Sequence, residues 1–202
     1  MDVKSYKKEE LLAVAEEITS LDIEELMDNL LDKDDKVRYP SFLILQFRSE
    51  IKDDIYPYWS RFVKMLESDN SYSRTIGLKL IAVNTKWDKG LKFKEIVDQY
   101  LFHCDDEKLI TARLCIQGLQ YVIDGANYDK YICDRIVKKL IAIDIKKRPD
   151  TNWKVMTTDI VNILMEIHRE IDYKEIVIYL NDCLNGDILD KSIKKEITNL
   201  LS

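Results

Sequence analysis

An apolar helical segment, an acidic turn and a second apolar segment opening on a basic residue recur along this chain. That recurrence is what most limits the folds open to it. "LLDKDDK" at 30–36, "MLESDNS" at 65–71 and "LFHCDDE" at 101–107 each close one segment. Arg38, Arg74 and Arg113 stand near the start of the next, with Lys154 as a less regular fourth. These positions are 36, 39 and 41 residues apart. A unit of that length holds one helix pair. One pair cannot bury its apolar face alone, whereas stacked pairs share a continuous core.

The periodicity inside the segments is helical. Ile76, Leu80, Val83 and Trp87 fall at i, i+4, i+7 and i+11, one face of a helix. Leu11, Val14, Ala15 and Ile18 predict an extra N-terminal helix within 5–18. Asp22 and Glu25 resemble a capping box, and Pro40 and Pro57 are tolerable only near helix starts. Gly90, Gly125 and Gly186 fall between segments, where turns want them. Gly77 and Gly118 fall inside helices, at about 1 kcal/mol each relative to Ala. Close approach of a neighbouring helix would offset that cost. The chain has only five glycines and three prolines, and no segment reads as a strand.

The expectation is therefore an all-α fold: an α-α superhelix of about five antiparallel pairs in a single domain, 1–202, preceded by one extra helix. The pairs are placed at 22–50, 55–88, 92–123, 128–169 and 173–201. The turn acid followed by a basic residue in the second helix resembles the HEAT-repeat pattern over roughly 22–202. "SYSRTIGLKLIAVNTKWD" and "DEKLITARLCIQGL" are similar to stretches of a group of small bacterial HEAT-like, armadillo-type proteins without an established activity. The resemblance implies a helical-repeat scaffold and carries no chemistry with it. The fourth pair departs from it, with Lys154 in place of Arg and "KKRPDTN" in place of a clear acidic turn.

Charge and composition narrow the functional classes. Lys plus Arg is 31 and Asp plus Glu is 37, a formal charge of −6. A chain that lives on phosphate backbones normally carries a net positive face. No apolar run reaches bilayer length, and the charged N-terminus has no apolar signal core, so a cytoplasmic protein without membrane contact is expected. Cys104, Cys115, Cys133 and Cys183 are scattered among apolar residues and read as buried reduced thiols.

Packing alone does not explain Arg74, Asn84 and Asp88. On one reading, Arg74 and Arg113 line an inner face and grip a carboxylate or phosphate. On the other, each pairs with Asp69, Asp105 or Asp106 in a ladder between neighbouring repeats. Trp87 continues the core stripe, or anchors a patch with Asn84 and Asp88. Tyr56, Tyr58 and Trp59 either join that patch or fill space between pairs. The expected binding surface is Arg74, Asn84, Trp87, Asp88, Arg113 and Gln117. If the arginines are ladder residues, Leu78, Gln117 and Gln120 carry the surface instead.

Catalytic and metal chemistry find little support. His103 sits beside Cys104, Asp105 and Asp106, but neighbouring helical residues point in different directions and make a poor ligand set. His168 is expected to cap helix-end carbonyls. No nucleophile motif, P-loop or dinucleotide glycine pattern is present. No catalytic residue, metal or cofactor is therefore expected; an unfamiliar activity around Trp87, Asp88 and Arg113 is the outlying possibility. The basic stretch Arg135, Lys138, Lys139, Lys146, Lys147, Arg148 and Lys154 reads first as a solvated loop that complements a helix dipole. Its alternative is nucleic-acid or phosphate binding, as in helical repeats of the DNA alkylation repair kind. The function expected is non-catalytic presentation of a groove to a protein or peptide partner.

Overall fold

The computed structural model describes residues 1–202 and is helical throughout, without a strand. After two short 3-10 turns come α1 (Leu11–Glu17), α2 (Ser20–Asn29) and α3 (Asp35–Ile51). Then follow α4 (Trp59–Leu66), α5 (Ser71–Asn84), α6 (Lys92–Phe102) and α7 (Leu109–Ile123). The chain closes with α8 (Lys130–Ile141), α9 (Trp153–Glu170), α10 (Lys174–Asn185) and α11 (Lys191–Leu201). No helix is long and apolar enough to cross a membrane.

The chain divides into two compact units. The first comprises 1–96 and 124–127, the second 97–123 and 128–202. In the first unit, α3 packs against α1, α2 and α5, and α4 packs on α5. Its core includes Leu26, Ile44, Leu45, Phe62, Leu78, Leu80 and Ile81, all fully sealed. In the second unit, α9 packs against α7, α8, α10 and α11. Tyr100, Cys115, Ile116, Leu140, Ile160 and Leu164 form its interior.

The helix starts differ from expectation in informative ways. The N-terminal helix is shorter, seven residues from Leu11. The capping box of α2 is Thr19 with Asp22, not Asp22 with Glu25: Thr19 N donates to Asp22 Oδ2 at 2.8 Å. Threonine three residues before an acid is the stronger cap, and it moves the helix start back. Pro40 lies at the sixth position of α3, because Asp34 caps earlier by accepting from Lys36 N. Pro57 stands in the 3-10 turn Tyr56–Tyr58 that leads into α4.

Gly77 shows the close approach that its position implied. A Cβ there would lie 2.8 Å from the Phe62 carbonyl oxygen and 2.9 Å from Met65 Cβ. α4 and α5 touch backbone to backbone at that point. No glycine adopts a positive φ; the left-handed position belongs to Leu91, at φ 60° directly after Gly90.

Two kinds of polar tie cross between helices. Near the surface of the first unit, Arg61 reaches Asp28 at 3.3 Å and Tyr58 donates to Glu24 at 2.7 Å. In the second unit, Arg135 reaches Asp98 at 3.0 Å and Tyr173 donates to Asp134 at 2.5 Å. The other kind closes helix ends, whose last carbonyls have no partner within the helix. Arg48, fixed by Asp54 at 2.7 Å, donates through Nη1 to the Ala15 and Glu16 carbonyls at the end of α1, both at 2.9 Å.

Candidate functional site

Of the six residues singled out, Arg74, Asn84, Trp87 and Asp88 belong to the first unit, Arg113 and Gln117 to the second. Arg74 is buried near the start of α5. Its Nη1 donates to the carbonyls of Ser68 (2.9 Å) and Asp69 (3.0 Å), in the turn before its own helix. The acidic turn and the basic residue after it thus belong to one hairpin, with the backbone of the turn as acceptor.

Asn84 is wholly enclosed. Its Nδ2 donates to Ser49 Oγ at 2.9 Å and to the Leu80 carbonyl at 2.8 Å, while Oδ1 is buried without a hydrogen-bond partner. Trp87 is half-buried, and its indole Nε1 donates to the Ser49 carbonyl at 2.7 Å. Lys86 Nζ donates to the Glu50 carbonyl at 2.6 Å and lies 4.7 Å from the Trp87 ring centroid. Together Lys86 and Trp87 close the C-terminal end of α3 as Arg48 closes that of α1. The Ala126 N–H in turn meets the Thr85 carbonyl at 3.2 Å.

Asp88 does more than end a helix. It is 1% exposed and caps the next one: Oδ1 accepts from Lys92 N at 3.0 Å, Oδ2 from Phe93 N at 2.8 Å. Tyr56 also donates to Oδ1, at 2.7 Å. Burial, reinforced by this carboxylate, raises the Tyr56 phenol well above its ordinary range. Tyr56 therefore packs toward the start of α6, with Lys92 Nζ 4.4 Å from its ring centroid and Trp59 beside it.

Arg113 and Gln117 come together on a residue that the sequence reading did not pick out. Arg113 Nε donates to Asp159 Oδ2 at 2.6 Å, and Nη2 approaches Oδ1 at 3.4 Å. Gln117 Nε2 donates to the same Oδ1 at 3.0 Å. The two donors are one helical turn apart on α7, and the acceptor is on α9. The Arg113 side chain keeps 35% of its exposure while Asp159 keeps 8%, so the guanidinium is presented and the carboxylate holds it in place. That carboxylate also raises the Arg113 pKa further above its ordinary value. Ile110, 70% exposed, lies one turn before Arg113, and the half-buried Leu114 follows it. Leu78 is sealed in the core of the first unit, and Gln120 is half-buried on α7.

The acids expected to pair with Arg113 receive Arg148 instead: Nη2 meets Asp105 Oδ1 at 3.1 Å and the Asp106 carbonyl at 2.7 Å. The Arg148 carbonyl accepts from Trp153 Nε1 at 2.9 Å. This corrects the solvated-loop reading at that position; Arg148 folds back onto the turn before α7. Arg135 and Lys154 also hold carboxylates, Asp98 and Asp190. His103 Nδ1 lies 3.3 Å from Asp106 Oδ2, both buried, and no three potential ligands gather as a metal ion would require.

Compared with protein-family models, curated proteins and solved structures, the chain matches none of them.

Proposed function

We propose that this is a non-catalytic, HEAT-like helical-repeat scaffold of the cytoplasm that binds a protein or peptide partner. The surface we assign is the α7–α9 face of the second unit. The observation that carries the reading is the Arg113–Asp159–Gln117 cluster beside Ile110. A guanidinium held at fixed geometry supplies one of the side-chain types, with Trp and Tyr, that dominate binding hot spots, and the exposed Ile110 beside it offers apolar surface for a partner to cover. Pre-fixing the guanidinium also lowers the ordering cost of binding.

The residues of the first unit support a narrower surface than the six-residue groove. Arg74, Asn84 and Asp88 have polar atoms engaged inside their own unit. The Asp88 oxygens, held by two backbone N–H groups and a phenol, are poorly placed to act as acid or base, which weighs against an enzyme there. The carboxylates on Arg135, Arg148 and Lys154 weigh against phosphate binding by the basic stretch.

A photo-crosslinking amino acid placed at Leu114, with one at Ile178 as the control, tests this in cells of the native host. Leu114 is half-buried on α7 beside Arg113, and Ile178 is 62% exposed on α10. The expected result is a crosslinked partner at 114 and none at 178. With that partner purified, Ile110→Asp and Arg113→Gln should each weaken binding about tenfold or more, the effect of losing a hot-spot contact. No crosslink at 114, or unchanged affinity in both folded variants, overturns the reading.

A further inference from the structure

We infer that Cys104 and Cys115 form a latent intramolecular disulfide, a reversible covalent modification site at the turn between α6 and α7. Cys104 lies in the 3-10 turn His103–Asp105 that ends α6, and Cys115 lies in the middle of α7. Their Sγ atoms are 3.5 Å apart and both residues are fully buried. Two ties hold the cysteines there. Cys115 Sγ donates to the Tyr100 carbonyl at 3.3 Å, and Tyr100 OH donates to the Cys115 carbonyl at 3.3 Å. A disulfide needs sulfurs about 2 Å apart, so they must close by roughly 1.5 Å. Cys104 sits in a short 3-10 turn, which yields more readily than the helix interior that holds Cys115.

The chemistry is a two-electron thiol–disulfide exchange with a small disulfide such as oxidised glutathione. The Cys104 thiolate attacks one glutathione sulfur, forming a mixed disulfide and releasing a glutathione thiolate. The Cys115 thiol loses its proton to solvent, attacks the Cys104 sulfur and expels the second glutathione. The protein loses two electrons and two protons, and one glutathione disulfide becomes two thiols. Burial pushes the Cys115 thiol well above its ordinary range. Exchange is therefore slow in the closed state and proceeds through local opening of the turn. The bond would link the middle of α7 to the turn that ends α6 and close a loop that holds Ile110 and Arg113. The inference stands whether or not a partner binds that face.

The test uses the full chain, reduced and then incubated with excess oxidised glutathione. Intact mass, thiol titration and peptide mapping are followed over time. The expected result is loss of two of the four free thiols, a 104–115 linkage in a monomeric product, and a raised melting temperature. Cys115→Ser should stop at a glutathione adduct on Cys104, and Cys104→Ser should leave Cys115 free. Cys115→Ala replaces the serine variant if that one fails to fold. Four free thiols persisting even in sub-denaturing urea, or a linkage through Cys133 or Cys183, overturns the inference.

Discussion

Asn84 Nδ2 and Ser49 Oγ meet at 2.9 Å across the α3–α5 contact, 35 residues apart in the chain, with both residues fully buried. Ser49 in turn donates to the Leu45 carbonyl at 2.8 Å. Removing either side chain costs the other one hydrogen bond, roughly 1 kcal/mol, while Asn84 keeps its bond to the Leu80 carbonyl and Ser49 its bond to the Leu45 carbonyl. Asn84→Ala and Ser49→Ala should each lower unfolding free energy by that order in urea denaturation. The double variant should lose clearly less than the two losses combined. Strict additivity would mean the two groups do not interact.

Gly77→Ala should cost about 1–3 kcal/mol, since its methyl group would meet the Phe62 carbonyl oxygen at 2.8 Å and Met65 Cβ at 2.9 Å. Gly186→Ala should be far milder, because its nearest contact is ordinary, 3.5 Å from the Asp182 carbonyl oxygen. Thermal melts of the two variants side by side decide it. Equal losses would refute a steric origin.

Leu91 holds φ 60° with its side chain 46% exposed. A non-glycine residue pays about 1–2 kcal/mol for that conformation. Glycine removes this strain and widens the unfolded ensemble, an opposing effect of about 0.4–1 kcal/mol. Leu91→Gly should therefore raise stability by roughly 0.5 kcal/mol, and Leu91→Val should lower it. A glycine variant that melts clearly below wild type would show that the Leu91 side chain contributes more than its exposure suggests.

Alkaline pH should weaken the fold in a defined window. Burial, with Glu24 beside the hydroxyl, pushes the Tyr58 phenol up to about 12. Its unfolded value is about 10. The folded state thus holds this proton more tightly. Its contribution is complete below pH 10 and is lost as pH rises from about 10 toward about 12. Tyr56, Tyr128, Tyr173 and Tyr179 shift the same way. Phenolate absorbance should appear late in the native protein, and Tyr58→Phe should remove its share of the pH dependence. Tyr58 titrating near 10 in the folded state would contradict its burial beside Glu24.

The helical class, the segment positions and the tight contact at Gly77 were legible because they depend on local periodicity and on one residue type in an unusual place. Asp88 was half legible. Packing alone left it unexplained, but its role as the cap of α6 depends on a turn through the left-handed Leu91, which no residue type announces. Asp159 was not legible at all. It is an acid 46 residues from Arg113, and only the packing of α9 on α7 brings it there. Arg148 escaped for the same reason: "KKRPDTN" reads as an open loop until residues 42 and 43 positions earlier become its acceptors.

The closing of helix ends by later residues gives the first unit a direction in time. On a growing chain, the last carbonyls of α1 stay hydrated until Arg48 arrives, 32 and 33 residues on. Those of α3 wait for Lys86 and Trp87, 36 and 38 residues on. Both helices thus have carbonyl groups at their ends that only later residues of the chain satisfy. A chain stalled before Trp87 would carry a formed α3 with a frayed last turn, and the stall would be visible as local hydrogen exchange confined to that turn.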